Sequence, residues 1–401
     1  MTEAAKSTNN NTDKNSEHDS NKSMLQIILG QFFEHRMAVI GFSIIAFFIV
    51  VAISASWISS YMGIDPDTQN VANRYQAPFS THSISDDNRE VRIENFIELN
   101  PEIASALTQQ LRTANKIEDS SADEDALYDF ALGKEIKDIR NSLSEIDTAE
   151  AKAFKKLVSG FQTTHIFGTD ELGRDVMIRL IYATRVSIGV GMLVALAAAF
   201  IGLMVGTLAG YYGGWVDAVL SRITDSLLSL PILPLMIVFA AIDLKKIAFF
   251  NLFITGSNES IYKLVFIVGL FSWMGVSRLV RGSVLSLKHR EFILAAKTLG
   301  AKNSRIMLTH IAPNVIAPLL VAATLGVGNA ILFESSLSFL GLGIQPPTAS
   351  WGNMLFNAQE LIHEAPLLAI LPGILILLTT ISFNFVGDGL QDAIDPKSIK
   401  R

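Results

Sequence analysis

Residues 186–210 read VSIGVGMLVALAAAFIGLMVGTLAG, a stretch with no charged side chain. A membrane-spanning helix needs about 20 mostly apolar residues, so this stretch predicts one span. Its many Gly and Ala residues are typical of helices that pack closely inside a membrane. The whole chain is 50% hydrophobic and only 17% charged, a combination that is rare in soluble domains. The sequence therefore predicts an all-α polytopic membrane protein.

Five further apolar stretches have the length of a membrane span or are close to it. Together with 186–210 they predict six transmembrane helices, the last five of which lie in a core domain over 166–396. Two prolines, Pro231 and Pro234, predict a kink in the third span. The five stretches are 37–60, 226–243, 261–280, 314–336 and 366–387.

The distribution of charge predicts the orientation of these spans. Segment 278–305 holds seven Lys and Arg residues against one acid, Glu291. Because basic residues concentrate in short cytoplasmic loops, we expect this segment to be cytoplasmic. An even number of spans then puts both termini in the cytoplasm. Residues 1–36 are predicted to be a cytoplasmic tail, largely disordered because its start is polar and low in complexity.

Residues 61–165 separate the first two spans and are expected on the opposite, periplasmic side. They hold 19 acidic and 11 basic residues, a net charge of −8. Apolar residues recur at three- and four-residue spacing, which predicts a small helical insertion domain. A disordered linker is the alternative interpretation. The residues that would form one helix face are Leu127, Phe130, Ala131, Ile136 and Ile139.

The motifs of enzymes are missing from the sequence. There is no cysteine, no glycine-rich phosphate-binding loop, and no pairing of the seven scattered histidines with a nucleophile or a metal-ligand partner. We therefore expect a non-catalytic chain without a metal site. An intramembrane hydrolase would need catalytic groups converging at one depth, and no such set is evident.

Residues 290–314 read REFILAAKTLGAKNSRIMLTHIAPN and lie between two apolar stretches. The pattern predicts a short helix that ends near Gly300, then a second helix that ends at Pro313 or leads there into the fifth span. Ala295, Ala296 and Gly300 are small, so another protein could approach the backbone closely. A docking element is one interpretation, and an ordinary basic connecting loop is the other.

Charged and polar residues within or beside the spans are candidates for a pathway or a gate, because such residues usually face protein or water. Helix packing explains them as readily. The candidates are Glu334, Asn384 and Asp388. At the junction before the third span, where Asp217 also lies, a pair at i, i+3 is feasible between Arg222 and Asp225.

Four stretches resemble the membrane permease subunits of ABC importers for dipeptides, oligopeptides and nickel. They are DPDTQNVANRYQAP (65–78), HIFGTDELGRDVMIRLIYATRVSIGVG (165–191), ESSLSFLGLGIQPPTASWGNML (334–355) and FNFVGDGLQDAIDPK (383–397). The resemblance covers roughly 24–78 and 165–397 and is closest to the C-type permease. Its signature before the second span corresponds to Gly168, Thr169, Asp170, Gly173, Arg174 and Asp175. The basic residues of this signature are interpreted as an ordered elbow.

The resemblance implies a type I ABC importer permease fold with a cytoplasmic coupling loop over 281–313. The stretch around Gly300 resembles the EAA loop, which docks onto the ATPase, although Leu294 stands where the family has Glu. The implied docking residues are Glu291, Ala295, Ala296, Gly300 and Pro313. A second homologous permease, two cytoplasmic ATPase subunits and a periplasmic peptide-binding protein are the implied partners, and nucleic acid is not among them. The chain itself would bind no cofactor, since ATP and Mg²⁺ are used by the ATPases.

The function so implied is ATP-driven peptide import across a bacterial inner membrane, with this chain forming half of the pathway. A nickel chelate or another small solute remains an alternative cargo, and an ATP-independent channel or secondary transporter an alternative mechanism. Segment 79–164 has no counterpart in the family's usual short connection. Binding-protein docking, a cover for the outer gate and a neutral insertion are its possible roles.

Overall fold

The computed structural model describes residues 24–83, 86–114, 116–117, 123–132, 134–146, 148–242, 259–356 and 358–394. These residues divide into two compact units. The insertion unit comprises Ser54–Ile181 and His363–Leu368, and the core unit comprises the remaining described residues. The start of the expected disordered tail, 1–23, lies outside the described residues, as do residue 243 of the third predicted span and the last residues of the fourth motif.

The helices that form the core unit, or continue into it, are long and apolar. Their bounds are α1 Met24–Glu34, α2 Arg36–Met62, α8 Val176–Tyr212, α9 Gly214–Leu228, α10 Ile232–Ala241, α11 Glu259–Leu287, α12 Glu291–Thr298, α13 Asn303–Arg305, α14 Ala312–Phe339, α15 Ala358–Leu361 and α16 Leu367–Ile394. Within the described residues, five helices are long and apolar enough to cross a membrane, and the bent pair α9–α10 makes a sixth if it counts as one span. The predicted membrane fold is thus confirmed.

Two predictions about the core helices need correction. The third span is not a kinked helix over 226–243, because α9 and α10 meet at 86° across a break at 229–231. Pro231 lies at this break and lacks the N–H that a continuous helix would need. The tail is not disordered from residue 24 onward, because α1 forms there. Its Phe32 is buried with Ala38 of α2 and Ala393 of α16.

The contact between α8 and α11 explains the small residues in the stretch 186–210. Gly202, Gly206 and Gly210 recur every fourth residue along α8. A Cβ at these positions would lie 2.6–2.8 Å from atoms of Val276, Ser277 or Val284 on α11. Carbon atoms normally pack at about 3.5–4.0 Å, so only glycine permits this approach.

The insertion unit contains a small helical domain closed by two strands. Its helices are α3 Asp86–Leu99, α4 Pro101–Thr113, α5 Asp123–Leu132, α6 Ile136–Ser144 and α7 Ala149–Ser159, and its strands are β1 Ser80–Ser83 and β2 Gln162–His165. The strands pair antiparallel, from Ser80 opposite His165 to Ser83 opposite Gln162. The predicted insertion bounds 79–164 thus coincide with a two-stranded stem, which sequence patterning did not indicate.

One apolar core holds the insertion helices together. The five residues predicted to share a helix face are all buried in it. They do not lie on one helix, however, because Leu127, Phe130 and Ala131 belong to α5 whereas Ile136 and Ile139 belong to α6. Both helices turn their apolar faces to the same core, so the pattern continued across the break between them.

Candidate functional site

The predicted docking element is helix α12, which ends in a glycine cap. The N–H of Gly300 donates to the carbonyl of Lys297, and the N–H of Ala301 donates to that of Ala296. These two bonds are the Schellman arrangement, in which the residue after the last helical turn takes a left-handed conformation. Gly300 has φ +79°, and a Cβ placed there would meet no atom within 4 Å. The glycine therefore ends the helix and leaves open space around it.

Helix α12 is attached to the core unit by one side only. Ile293 is 2% exposed and packs in a cluster with Val280 and Val284 of α11. Ala296 is half-buried against the same cluster. This fixes the helix on the bundle and turns its remaining residues outward.

The outward face of α12 differs from the predicted one. Of the predicted docking residues on this segment, Glu291, Ala295 and Gly300 are exposed, whereas Ala296 is half-buried. Leu299 was not among the predicted residues of this face, and its exposure of 89% is high for an apolar residue next to a packed helix. Phe292 and Leu294 are exposed as well; these two and Leu299 are the side chains we call the apolar face of α12.

The second predicted helix does not end at Pro313. Helix α13 runs through a π-helical segment, Ile306–Ile311, directly into α14, and Pro313 lies exposed in the first turn of α14. A proline inside a helix has no N–H to donate and crowds the carbonyl four residues earlier. The wider π turn just before Pro313 accommodates this defect. Pro313 therefore marks the entry into the fifth span, which was one of the two predicted alternatives.

Arginines and aspartates at the junction before the third span pair differently from the prediction. Arg281 donates from Nε and Nη2 to the carboxylate of Asp217 at 2.5 and 2.7 Å. Arg278 donates from Nε and Nη2 to Oδ1 of Asp225 at 3.0 and 2.6 Å. Arg222 is exposed. The predicted pair of Arg222 with Asp225 is thus replaced by two pairs between α9 and α11.

Glu334 is fully buried at the end of α14 and is surrounded by serine hydroxyls. Ser338 and Ser350 donate to its Oε1, each at 2.8 Å. Ser335 and Ser187 lie 3.4 and 3.5 Å from its Oε2. No Lys, Arg or His forms an ion pair with Glu334 in the described part of the chain.

Three of these serines connect Glu334 to the backbone of loop 340–356. The N–H groups of Ile344, Trp351 and Asn353 donate to the hydroxyls of Ser338, Ser187 and Ser350, respectively. Each hydroxyl can then give its own proton to the carboxylate. Glu334 therefore holds loop 340–356 in place. Asn384 and Asp388 are exposed on α16, and the described contacts of Glu334 involve neither of them.

The six signature residues before α8 form one buried turn. The carboxylate of Asp170 accepts the N–H groups of Leu172 and Arg174 and the Nε of Arg174 at 2.7–3.0 Å. Asp175 accepts the N–H of Ile178 at 2.8 Å, which caps the N-terminus of α8, and its other oxygen is 2.8 Å from Nδ1 of His165. The elbow is ordered, as its sequence indicated.

This turn is joined to the segment before the insertion. Thr169 accepts the N–H of Gln76 at 2.9 Å and donates to the carbonyl of Asn73. The N–H of Asn70 donates to the carbonyl of Leu172 at 2.9 Å. A Cβ at Gly168 or Gly173 would overlap the backbone of Gln76 or Asn70, so both positions need glycine. The signature thus joins residues 70–76 to the start of α8 through contacts in which the insertion helices take no part.

Comparison with known proteins assigns this architecture to a family. Residues 202–400 match the model described as binding-protein-dependent transport system inner membrane component. A dipeptide transport system permease from Alkalihalophilus pseudofirmus is 40% identical over 255 residues, which are 64% of this chain and 79% of the relative. The chain belongs to this permease family.

Further similarities narrow the type of permease. Residues 23–78 match the N-terminal transmembrane domain of oligopeptide transport permease C, so the chain is a C-type peptide ABC permease. An oligopeptide permease from Haemophilus influenzae is 40% identical over 233 residues, 58% of this chain and 70% of the relative. A glutathione permease from Pectobacterium atrosepticum is 39% identical over 244 residues, 61% and 76% respectively. The helical insertion lies between the two stretches that the family models match.

Proposed function

We propose that this chain forms half of the translocation pathway of an ATP-driven peptide importer and couples to the ATPases through the loop 290–313. The observation that carries the proposal is α12, an eight-residue helix held by Ile293 with an exposed apolar face and a glycine cap in open space. Exposed apolar patches on membrane proteins outside the bilayer are typical of protein contacts. Family membership supports an ATPase as the partner at this face.

The remaining partners follow from the same assignment. A second homologous permease would complete the pathway, and a periplasmic peptide-binding protein would deliver the cargo. We infer that both termini and α12 are cytoplasmic, since segment 278–305 carries seven basic residues. The insertion helices would then be periplasmic in a bacterial inner membrane. The chain would bind no cofactor, and the ATPases would use ATP and Mg²⁺.

Peptides are the proposed cargo because the similar proteins are named for dipeptide, oligopeptide and glutathione transport. The insertion is proposed to take part in receiving the binding protein, since it is a separate apolar core on a stem. An uptake assay with labelled peptides and nickel chelates would distinguish the two cargo classes. Uptake of the chelate alone would contradict the peptide assignment.

Gly300 offers a direct test of docking. Gly300→Trp adds a large side chain at a position where a Cβ meets no atom of the isolated chain within 4 Å, so the side chain should obstruct a docked partner. Gly300→Asn is the matched control, because Asn tolerates the left-handed conformation. We expect normal membrane insertion of both variants and a loss of ATP-driven uptake of about tenfold or more for Trp only, equivalent to about 1.4 kcal/mol of docking free energy. Normal uptake by the Trp variant would contradict the proposal.

A further inference from the structure

Helix α9 lies between two sharp changes of chain direction. At its start, Gly213 and Gly214 have φ +66° and +55°, a conformation that L side chains rarely adopt. At its end the chain turns by 86° into α10. The covalent connections at both ends of α9 therefore leave its position to be decided by non-covalent contacts with neighbouring helices.

Two charged pairs connect α9 to α11 beside a cavity. Asp217 and Asp225 of α9 each bind an arginine of α11, Arg281 and Arg278, through two donor nitrogens. A cavity of about 320 Å³ lies beside these pairs and is lined by Leu220, Ser221, Thr224 and Ser277 as well. Apolar packing occurs further along, where Leu227 and Leu228 pack against the core. The first part of α9 thus depends on the arginines for its attachment to α11.

Helix α11, in contrast, packs closely against α8 and is connected to α12 by a short segment. The glycines of α8 bring its backbone against Val276, Ser277 and Val284. At the other end, only three residues separate α11 from α12, and Ile293 of α12 packs in one cluster with Val280 and Val284. A displacement of α12 is therefore expected to displace α11 with it.

We propose that the pairs Asp217–Arg281 and Asp225–Arg278 are positioning contacts that transmit the displacement of α12 through α11 to the bent span α9–α10. This inference rests on the proposed docking of an ATPase at α12. The Asp217–Arg281 pair is bidentate, because Nε and Nη2 of Arg281 donate to different oxygens, and such pairs have a fixed geometry that resists sliding better than a single hydrogen bond. Without them, α11 would move past the first part of α9 across the cavity.

Of the two pairs, Asp217–Arg281 is the more shielded. The side chains of Asp217 and Arg281 are 17% and 35% exposed, whereas those of Asp225 and Arg278 are 54% and 57% exposed. Ser221 also donates to Asp217 at 3.0 Å and orients its carboxylate. Exposed ion pairs contribute little free energy, so we expect the Asp217–Arg281 pair to transmit most of the displacement.

A charge exchange tests the proposal in the complete transporter. The single variants Asp217→Arg and Arg281→Asp should assemble and hydrolyse ATP while peptide uptake per ATP falls at least tenfold. The double variant D217R/R281D, which restores an opposite-charge pair, should recover uptake to within about threefold of wild type. Arg222→Asp, a charge reversal on the same helix without a described pair to α11, is the control and should keep the wild-type ratio.

The outcomes distinguish a failure of the transmission role from a failure of the proposed function. If the single variants fail to assemble, Arg281→Lys keeps the charge without the two-donor geometry and should show a smaller fall in the same ratio. Wild-type uptake per ATP in both single variants, or no recovery in the double variant, would overturn the transmission role. Failure of the wild-type chain to support ATP-driven uptake would instead overturn the proposed function.

Discussion

Replacing Glu334 with alanine removes the acceptor on which four serine hydroxyls converge. The carboxylate is fully buried, and two of the hydroxyls, those of Ser338 and Ser350, donate to it at 2.8 Å. The same hydroxyls receive backbone N–H groups of loop 340–356. The substitution should therefore destabilise both the end of α14 and this loop.

The loss of unfolding free energy in Glu334→Ala follows from the hydrogen bonds that are removed. A typical intramolecular hydrogen bond contributes about 0.5–1.5 kcal/mol, so the two short bonds together contribute about 1–3 kcal/mol. The contacts of Ser335 and Ser187, at 3.4 and 3.5 Å, are long and add little. Glu334→Gln keeps one carbonyl oxygen of similar position and should cost roughly half as much.

Thermal unfolding of the purified protein in detergent measures the loss, and limited proteolysis reports whether loop 340–356 opens. Ser336→Ala is the matched control on the same helix, because among the described residues the Ser336 hydroxyl bonds to the carbonyl of Leu332, one turn earlier, and not to Glu334. We expect a change within about 0.5 kcal/mol for this control. An alanine variant of Glu334 as stable as wild type, with an unchanged cleavage pattern, would refute the reasoning.

Three further substitutions test other parts of the structure. Gly206→Ala brings a Cβ to 2.6 Å from a carbonyl oxygen of α11 and should destabilise the protein by about 1–3 kcal/mol in thermal unfolding, whereas Gly189→Ala, with no atom within 4 Å, should not. Equal stabilities would contradict close packing of α8. Replacing residues 84–161 with Asn-Gly should leave a two-residue hairpin on the β1–β2 stem and a stably inserted permease, while lowering peptide uptake; unchanged uptake would sink the binding-protein role. Asp175→Ala should cost about 0.5–2 kcal/mol through the lost cap of α8, and no change in the unfolding temperature would contradict the capping role.

Membrane spans were predictable because hydropathy acts locally along the chain. The prolines near 231–234 also indicated a distortion of the third span, but the 86° turn was not foreseen. The angle depends on where α9 and α10 pack, on contacts such as Asp217–Arg281 that join residues 64 positions apart. Within α9 alone, the sequence spacing favours Arg222 as the partner of Asp225.

The docking segment was predicted in outline and misjudged in detail. Its helix and glycine cap are local features that residues 290–300 determine by themselves. Which face points outward depends on the apolar cluster that buries Ile293, most of whose members lie outside residues 290–300. The half-burial of Ala296 and the exposure of Leu299 were therefore not predictable from this segment alone. The exposed apolar side chain next to a glycine cap is the signal that could have indicated Leu299.

Only part of the environment of Glu334 is local in sequence, since Ser335 and Ser338 lie one and four residues after it. Ser187, one of its partners, lies 147 residues away in the chain. The insertion was predicted as helical from its apolar spacing, but the stem was not, because its strands are only four residues long and largely polar. Short polar strands are formed by their pairing with each other rather than by local preference.

Cross-linking at Leu299 tests directly whether the apolar face of α12 meets the ATPase. The chain contains no cysteine, so Leu299→Cys carries a single reactive thiol on the face proposed to meet the ATPase. Leu99→Cys, at a residue 79% exposed in the insertion unit, is the control. With a short thiol-to-amine cross-linker in the assembled transporter, the account predicts a product with the ATPase from position 299 and none from position 99. No ATPase product from position 299, or an equal one from position 99, would contradict it.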